Sequence, residues 1–157
     1  MFTIRRFRPD DLPRLRELTA ICFNGVSIDQ NIENRIGAIA GIPWQERKAA
    51  HVEDDAAADP DGIFVAERDG EVVGYISGRL NRKWRIGWIA NLAVDPCCQK
   101  QGIARALFDH VFAYFRENGM LAAKIETLEQ NAVGQSFFPA LGFEEVARQI
   151  HYIKRLE

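Results

Sequence analysis

The chain has 157 residues, 47% hydrophobic and 10% aromatic, which suits one globular domain (1–157) with its own core and excludes a disordered or collagen-like polymer. Twenty Lys and Arg against twenty-two Asp and Glu leave a formal charge of −2, so no overall positive field argues for nucleic acid or a membrane surface as partner. No apolar run approaches the length of a membrane span, and Met1 to Phe7 lacks the apolar core of a secretory leader, which points to the cytoplasm.

Thr3 to Phe7 alternates as a short strand, and Pro9-Asp10-Asp11 supplies the turn and N-cap of a helix with Leu12, Leu15, Leu18 and Cys22 on one face. Asn24-Gly25 stops it. Ile28, Ile32, Ile36 and Ile39 recur at helical spacing until Gly41-Ile42-Pro43, and a further helical piece runs from Trp44 to about Ala58, ending at Pro60-Asp61-Gly62. The period then changes. Ile63 to Glu67, the Asp69-Gly70 turn and Val72 to Leu80 read as a β-hairpin, with a third strand from Arg85 to Val94. A helix from about Gly102 to Asn118 carries Ile103, Leu107, Val111 and Phe115 on one stripe, and a strand from Leu121 to Thr127 follows, so a parallel right-handed crossover is expected. A short helix opens at Asn131, and Glu144 to Arg155 is expected to complete the sheet as one or two terminal strands.

Cys22 and the adjacent pair Cys97-Cys98 have no CxxC spacing, and His51, His110 and His151 are isolated, so neither a disulfide framework nor a metal site is expected. The segment that carries chemistry is Ile89 to Leu107. There a strand runs through Asp95-Pro96 into Gln99-Lys100-Gln101-Gly102-Ile103-Ala104 at a helix start. The first turn of a helix leaves N–H groups unpaired at its positive end, and Gly102 and Ala104 keep the approach open, so the junction suits an anion. From Pro96 to Phe108 there are two basic residues, Lys100 and Arg105, and no carboxylate, which favours a diphosphate locally. GxxxxGK[ST] and GxGxxG are both absent, which leaves triphosphate and dinucleotide loops without support.

The string Gln99-x-x-Gly102-x-Ala104, the preceding Leu92-Ala93-Val94-Asp95-Pro96, and Asn131 followed by Phe137-Phe138-Pro139-Ala140-Leu141-Gly142-Phe143 together resemble the GNAT superfamily of acyl-CoA-dependent N-acetyltransferases. The resemblance spans nearly the whole chain. It implies an α/β (α+β) fold: a mixed, mostly antiparallel sheet of six to seven strands flanked by about four helices, with a β-α-β crossover that binds acyl-CoA. It further implies transfer of an acetyl group from acetyl-CoA to a primary amine of a small molecule or peptide. Backbone groups of Leu92, Ala93 and Val94 would hold the pantetheine arm. Gln99, Lys100 and the N–H groups of Gln101, Gly102, Ile103, Ala104 and Arg105 would surround the pyrophosphate. Asn131 would contact the pantetheine and Phe138 the thioester sulfur; because Phe137 and Phe138 face different ways, at most one meets the ligand.

The chain departs from the family in two places. Ala90 falls where several relatives carry a strand glutamate, and Phe138 where the family has a tyrosine, so neither moves a proton. Glu126 is the first candidate base, acting through water, while Tyr75 and Tyr152 are the hydroxyls available as an acid, Tyr152 being the one carried forward as a catalytic candidate. Loss of a low-pKa thiolate can also dispense with an acid. The acidic run Glu53, Asp54, Asp55, Asp59 and Asp61 reads as solvated surface. In the family the acceptor cleft corresponds here to Asn24–Trp44 and Glu144–Tyr152, and nothing in these segments names the amine. A homodimer is open, and a CoA-binding regulatory module without turnover is the alternative function.

Overall fold

The computed structural model describes residues 1–156. Its sheet is built in chain order: β1 (Thr3–Arg6), β2 (Ile63–Arg68), β3 (Glu71–Asn81), β4 (Ile86–Val94) and β5 (Ala122–Ile125) lie side by side in that sequence. The first four pair antiparallel, whereas β5 pairs parallel with β4. The parallel pair is joined by α4 (Ile103–Glu117), the crossover expected from the change of period. Between β1 and β2 the chain forms α1 (Leu12–Cys22), α2 (Ile28–Ile36) and α3 (Trp44–Ala58), and α5 (Ala132–Ala140) follows β5.

Helices cover both faces of the sheet, and β3 is accordingly buried without a break from Val72 to Gly78. On one face α4 lays Ile103, Leu107, Phe108, Val111 and Phe115 against Phe64, Ile76, Ile89 and Val94, with Phe137 and Phe138 of α5 packed alongside. On the other, Leu15 and Leu18 of α1 and Val52 of α3 close over Ile63, Val65, Tyr75 and Ala93. Each such side chain, taken from water, contributes about 1.5–3 kcal/mol, so these two stripes fix where the helices sit.

The seat of α4 is cut by two glycines. A Cβ on Gly78 would lie 2.6 Å from Val111 Cγ2 and 2.9 Å from the Phe115 ring, and one on Gly87 would lie 2.4 Å from that ring. The Phe115 ring thus rests directly on the backbone of β3 and β4.

Three expectations are corrected. The sheet has five strands, not six or seven, because residues 144–156 pair with no strand: this tail runs past the β5–α5 loop, where Arg148 meets Glu129, and ends at α2, where Arg155 reaches the Ile36 carbonyl. Among the described residues the flanking α-helices number five, against about four expected. The helical pattern begun at Ile28 stops at Ile36 and does not continue to Ile39, since Gly37 turns to φ 81° and Ile39 and Ile42 close a separate turn.

Gly78→Ala is expected to lower stability by about 1–3 kcal/mol, because neither Val111 nor the Phe115 ring has room to retreat. Phe115→Leu in the same chain should recover part of that loss, so the urea midpoints of the two single variants and the double variant will be non-additive.

Candidate active site

β4 carries a one-residue bulge. Ser77 of β3 pairs with Asn91 while Gly78 pairs with Ile89, so Ala90 is the extra residue. The insertion reverses the alternation of side chains. Ile89 belongs to the α4 face, whereas Asn91 and Ala93, two and four residues further on, turn to the face of α1 and α3. Pairing of β4 with β5 ends at Ile89 opposite Ile125, the residue before the bulge. Beyond it the two strands part as a fork, and Ala90 to Val94 keep a strand neighbour only on the β3 side.

The bulge is held by a buried carboxylate that sequence reading placed on the solvated surface. Asp55 of α3 is 2% exposed. Its Oδ2 accepts from Ser77 Oγ and Asn91 Nδ2, both at 2.6 Å, and its Oδ1 accepts from Arg79 Nε and Nη2 at 2.9 and 2.7 Å. Ser77 Oγ in turn accepts the Asn91 N–H at 3.1 Å, so the backbone donor displaced by the bulge is satisfied by a side chain. Lys48 completes the cluster, donating to Asn91 Oδ1 at 2.8 Å with its ammonium 4.0 Å from the Phe23 ring centre, and burial pushes its pKa below that of an ordinary lysine.

After the fork the chain turns through Pro96–Cys98 into the start of α4. Asp95 fastens this turn: its Oδ1 accepts the Cys97 N–H at 2.9 Å and its Oδ2 accepts from Arg14 Nη2 at 2.8 Å. The Cys97 amide, with Arg14 beside it, holds the Asp95 carboxyl below the usual range. Arg14 also donates from Nε to the Val72 carbonyl at 3.0 Å, tying α1 to β3 as well as to the turn. Lys100 and Gly102 both take positive φ, 60° and 83°, and Gly102 caps α4 without any side-chain hydrogen bond. A Cβ placed on Gly102 would meet nothing within 4 Å. The first-turn N–H groups therefore open onto free space beside Lys100 and Arg105, a cradle for an anion. Arg68, at the end of β2, adds a third cation by donating to Gln101 Oε1 at 2.5 Å. Sequence reading missed it because it lies over thirty residues upstream.

The candidate residues distribute unevenly about the fork. Gln99 donates from Nε2 to the Val94 carbonyl at 3.1 Å, and Cys22 Sγ reaches the same oxygen at 3.3 Å, so that carbonyl already has partners. Burial pushes the Cys22 thiol up to about 11, which leaves it protonated. Glu126 follows the last paired residue of β5, at the mouth of the fork, where its two oxygens accept from Trp88 Nε1 at 2.7 Å and Lys124 Nζ at 2.8 Å. Asn131 caps α5, its Oδ1 accepting from the Gly134 N–H at 3.2 Å and its Nδ2 donating to Thr127 Oγ1 at 2.9 Å. Phe138 lies half-buried in an aromatic cluster with Phe108, Phe137 and Phe143. Tyr75 is fully buried with its hydroxyl 2.5 Å from Thr19 Oγ1, and burial pushes that hydroxyl above the ordinary tyrosine range. Tyr152 stands 89% exposed on the tail, in a stretch that pairs with no strand.

On the α1–α3 side, the wall beside the fork is closed by a polar seam. Gln130, in the β5–α5 loop, donates to the Gly25 carbonyl at 2.7 Å and accepts at 2.8 Å from Asn31 of α2. Among the described residues no group of His, Cys, Asp and Glu is arranged to hold a metal, and no helix is long and apolar enough to cross a membrane.

Comparison with known proteins agrees with this geometry. A profile of the Acetyltransferase (GNAT) family matches residues 14–143. The chain is 31% identical over 94 residues to a mycothiol acetyltransferase of Thermomonospora curvata, a match covering 60% of this chain and 31% of that one. It is 29% identical over 163 residues to an uncharacterized N-acetyltransferase of Methanocaldococcus jannaschii, covering 99% of this chain and 67% of the relative. Among solved structures, the PaiA N-acetyltransferase of Thermoplasma acidophilum in complex with coenzyme A superposes with a TM-score of 0.73 at 19% identity, over 92% of this chain and 90% of that one. This chain thus spans about a third of the mycothiol acetyltransferase that it matches.

Asp55→Ala is expected to cost about 3–5 kcal/mol in urea denaturation, since it leaves Arg79 and the bulge donors without their acceptor. Asp54→Ala, on the exposed side of the same helix, should stay within about 0.5 kcal/mol of the parent chain.

Proposed function

The chain belongs to the acetyltransferase (GNAT) family, and we propose that it transfers the acetyl group of acetyl-CoA to a primary amine of a small molecule or peptide by direct attack on the thioester. The observation that carries this reading is the open first turn of α4, reached through the turn that follows the end of β4, where that strand has no partner on the β5 side. A diphosphate seated at Gln101–Arg105, with Gln99 and Lys100 at its flank, leads the pantetheine arm along Leu92, Ala93 and Val94 into the fork. Arg68 lends charge from below. Asn131 retains one Nδ2 hydrogen beyond its bond to Thr127, enough for a contact with the arm, and the Phe138 ring forms an apolar wall for the sulfur.

The reaction needs a neutral nucleophile, and an amine of lysine-like pKa is uncharged in only about one molecule in several thousand at pH 7. Glu126 is fixed by Trp88 and Lys124 at the fork mouth and open to solvent, which suits a carboxylate that takes the amine proton through one water. The neutral amine nitrogen then bonds to the carbonyl carbon, the carbon–sulfur bond breaks, and the second nitrogen proton, which the amide cannot keep, is released to solvent at the open mouth of the fork. Coenzyme A departs as a thiolate, stable enough to leave without a general acid, and the absence of a hydroxyl at Phe138 is tolerated for that reason. Tyr152 would serve as an acid only if the tail that bears it were brought to the fork.

A second reading, a CoA-binding regulatory module with little turnover, is favoured by Ala90 and Phe138, neither of which can move a proton. The two readings part on thiol release from acetyl-CoA across a panel of amines and peptides: steady release supports transfer, and binding without release supports the module.

Coenzyme A at about one hundred times its dissociation constant should add about 2.7 kcal/mol of apparent stability. Gly102→Glu, which places an anion in the cradle, should abolish that gain in a thermal melt, whereas Gly102→Ala, which carries the same strain at φ 83° without the charge, should retain most of it; an undiminished gain in Gly102→Glu removes the site. Glu126→Gln is expected to lower kcat at pH 7 by about 10²-fold or more with KM for acetyl-CoA unchanged. Phe138→Tyr should leave kcat within a few-fold of the parent; a rise of orders of magnitude would show that departure of the thiolate had been limiting.

A further inference from the structure

A second cavity lies at the opposite end of α4 from the cradle. It measures about 600 Å³, within the range of small-molecule sites, and none of the residues assigned to acetyl transfer lines it. The ends of α3 and α4 form one side, and the ends of β1 and β3 with the turn after β3 form the other.

Charge is sorted between these two sides. Asp59 caps α3, Glu117 is the last residue of α4, and Asp61 lies in the turn that follows α3. A helix C-terminus already carries partial negative charge, and the last turn of α3 holds no basic residue to offset it. Facing them are Arg6 of β1, Arg79 of β3 and Arg82 beyond it. Among the described residues only Arg79 of these six is ion-paired, and its partner, Asp55, does not line the cavity. Arg6 donates to the backbone carbonyl of Asp61 at 2.5 Å, and Arg82 to Asn118 Oδ1 at 3.2 Å, so both guanidinium groups stay unneutralised. Opposite charges that share a space without meeting complement a molecule that bears both signs.

Two further features select among such molecules. Tyr114, 7% exposed, donates to both oxygens of Asp59 at 2.9 Å, and no described group donates to its own oxygen, which leaves a buried acceptor at the cavity wall. Ala58 and Leu80 supply apolar surface for a short carbon chain. We infer that this cavity binds a basic amino acid, with its ammonium groups on Asp59, Asp61 and Glu117 and its carboxylate on Arg79 and Arg82. Three carboxylates face only two arginines without an ion-pair partner, so a ligand with more positive than negative charge balances the site. Arg79 gives the site reach: Nε and Nη2 hold Asp55 Oδ1, while Nη1 has no partner among the described residues, so a carboxylate there stands one side chain away from the anchor of the bulge. The inference does not depend on the acetyl-transfer reading.

Isothermal titration of the full chain with L-lysine should show one saturable site per chain, with Kd of about 1 mM or tighter. Cadaverine, which lacks the carboxylate, and hexanoate, which lacks both ammonium groups, should each bind at least about tenfold more weakly. Arg82→Ala and Asp61→Ala, both at exposed positions, should each weaken L-lysine at least about tenfold with the far-UV circular dichroism preserved, whereas Glu126→Gln, at the fork, should leave its affinity unchanged. Absence of saturable binding up to about 10 mM overturns the proposal, as does cadaverine or hexanoate binding as well as L-lysine. Affinity indifferent to Arg82→Ala or to Asp61→Ala overturns it too, and so does affinity lost in Glu126→Gln, which would put the amino acid in the fork.

Discussion

One buried carboxylate organises the fork between β4 and β5. Asp55 reaches from α3 through the sheet face and is matched by a serine hydroxyl, an asparagine amide and an arginine guanidinium. Removing such a charge from water is costly, and it is tolerable here because every oxygen is answered by donors in the strands. What those donors share is the bulge at Ala90. A regular β4 would continue beside β5, its alternation unbroken and its backbone groups consumed by the ladder. The extra residue turns the strand's side chains over and coincides with the parting of the two strands, so a polar cluster far from any phosphate accounts for the gap into which a thioester arm can pass.

The anion cradle rests on a different economy of charge. The chain is slightly acidic as a whole, yet Lys100, Arg105 and Arg68 gather about the start of α4, and Asp95, in the turn before it, is occupied by Arg14 and the Cys97 amide. Two residues in left-handed backbone, Lys100 and Gly102, aim successive amides outward in place of a capping side chain. Local dipoles and neighbours decide what binds here, since net charge acts weakly beyond a Debye length of about 8 Å at physiological salt.

Much of this was legible in the residues. The hairpin, the crossover and the helix-start loop each follow from patterns a few residues long: Asp69-Gly70 between apolar runs, the period change after Pro96, and the glycine ahead of the Ile103 stripe. What escaped depends on partners distant in the chain. Asp55 sits in a run of acids that is indistinguishable from surface until Ser77 and Asn91 are folded beneath it. Arg68 gains its role only when β2 ends under the loop. The tail was expected to complete the sheet, yet residues 144–156 pair with no strand, and the groups that hold them, Glu129 and the Ile36 carbonyl, lie far away in the chain. Likewise the isoleucine spacing that carried the second helix on to Ile39 was overridden by Gly37, whose backbone ends the helix one turn earlier.

The seam between Asn31 and Gln130 joins two stretches separated by ninety-nine positions, and the helix on one side of it, α2, contains no fully buried residue. Substitutions along α2 therefore disturb little packing, while the wall they alter stands next to the parting of β4 and β5. Few fully buried contacts and nearness to the parting strands thus coincide in that one short helix, so the wall beside the fork can be altered while the core that supports the cradle stays as it is.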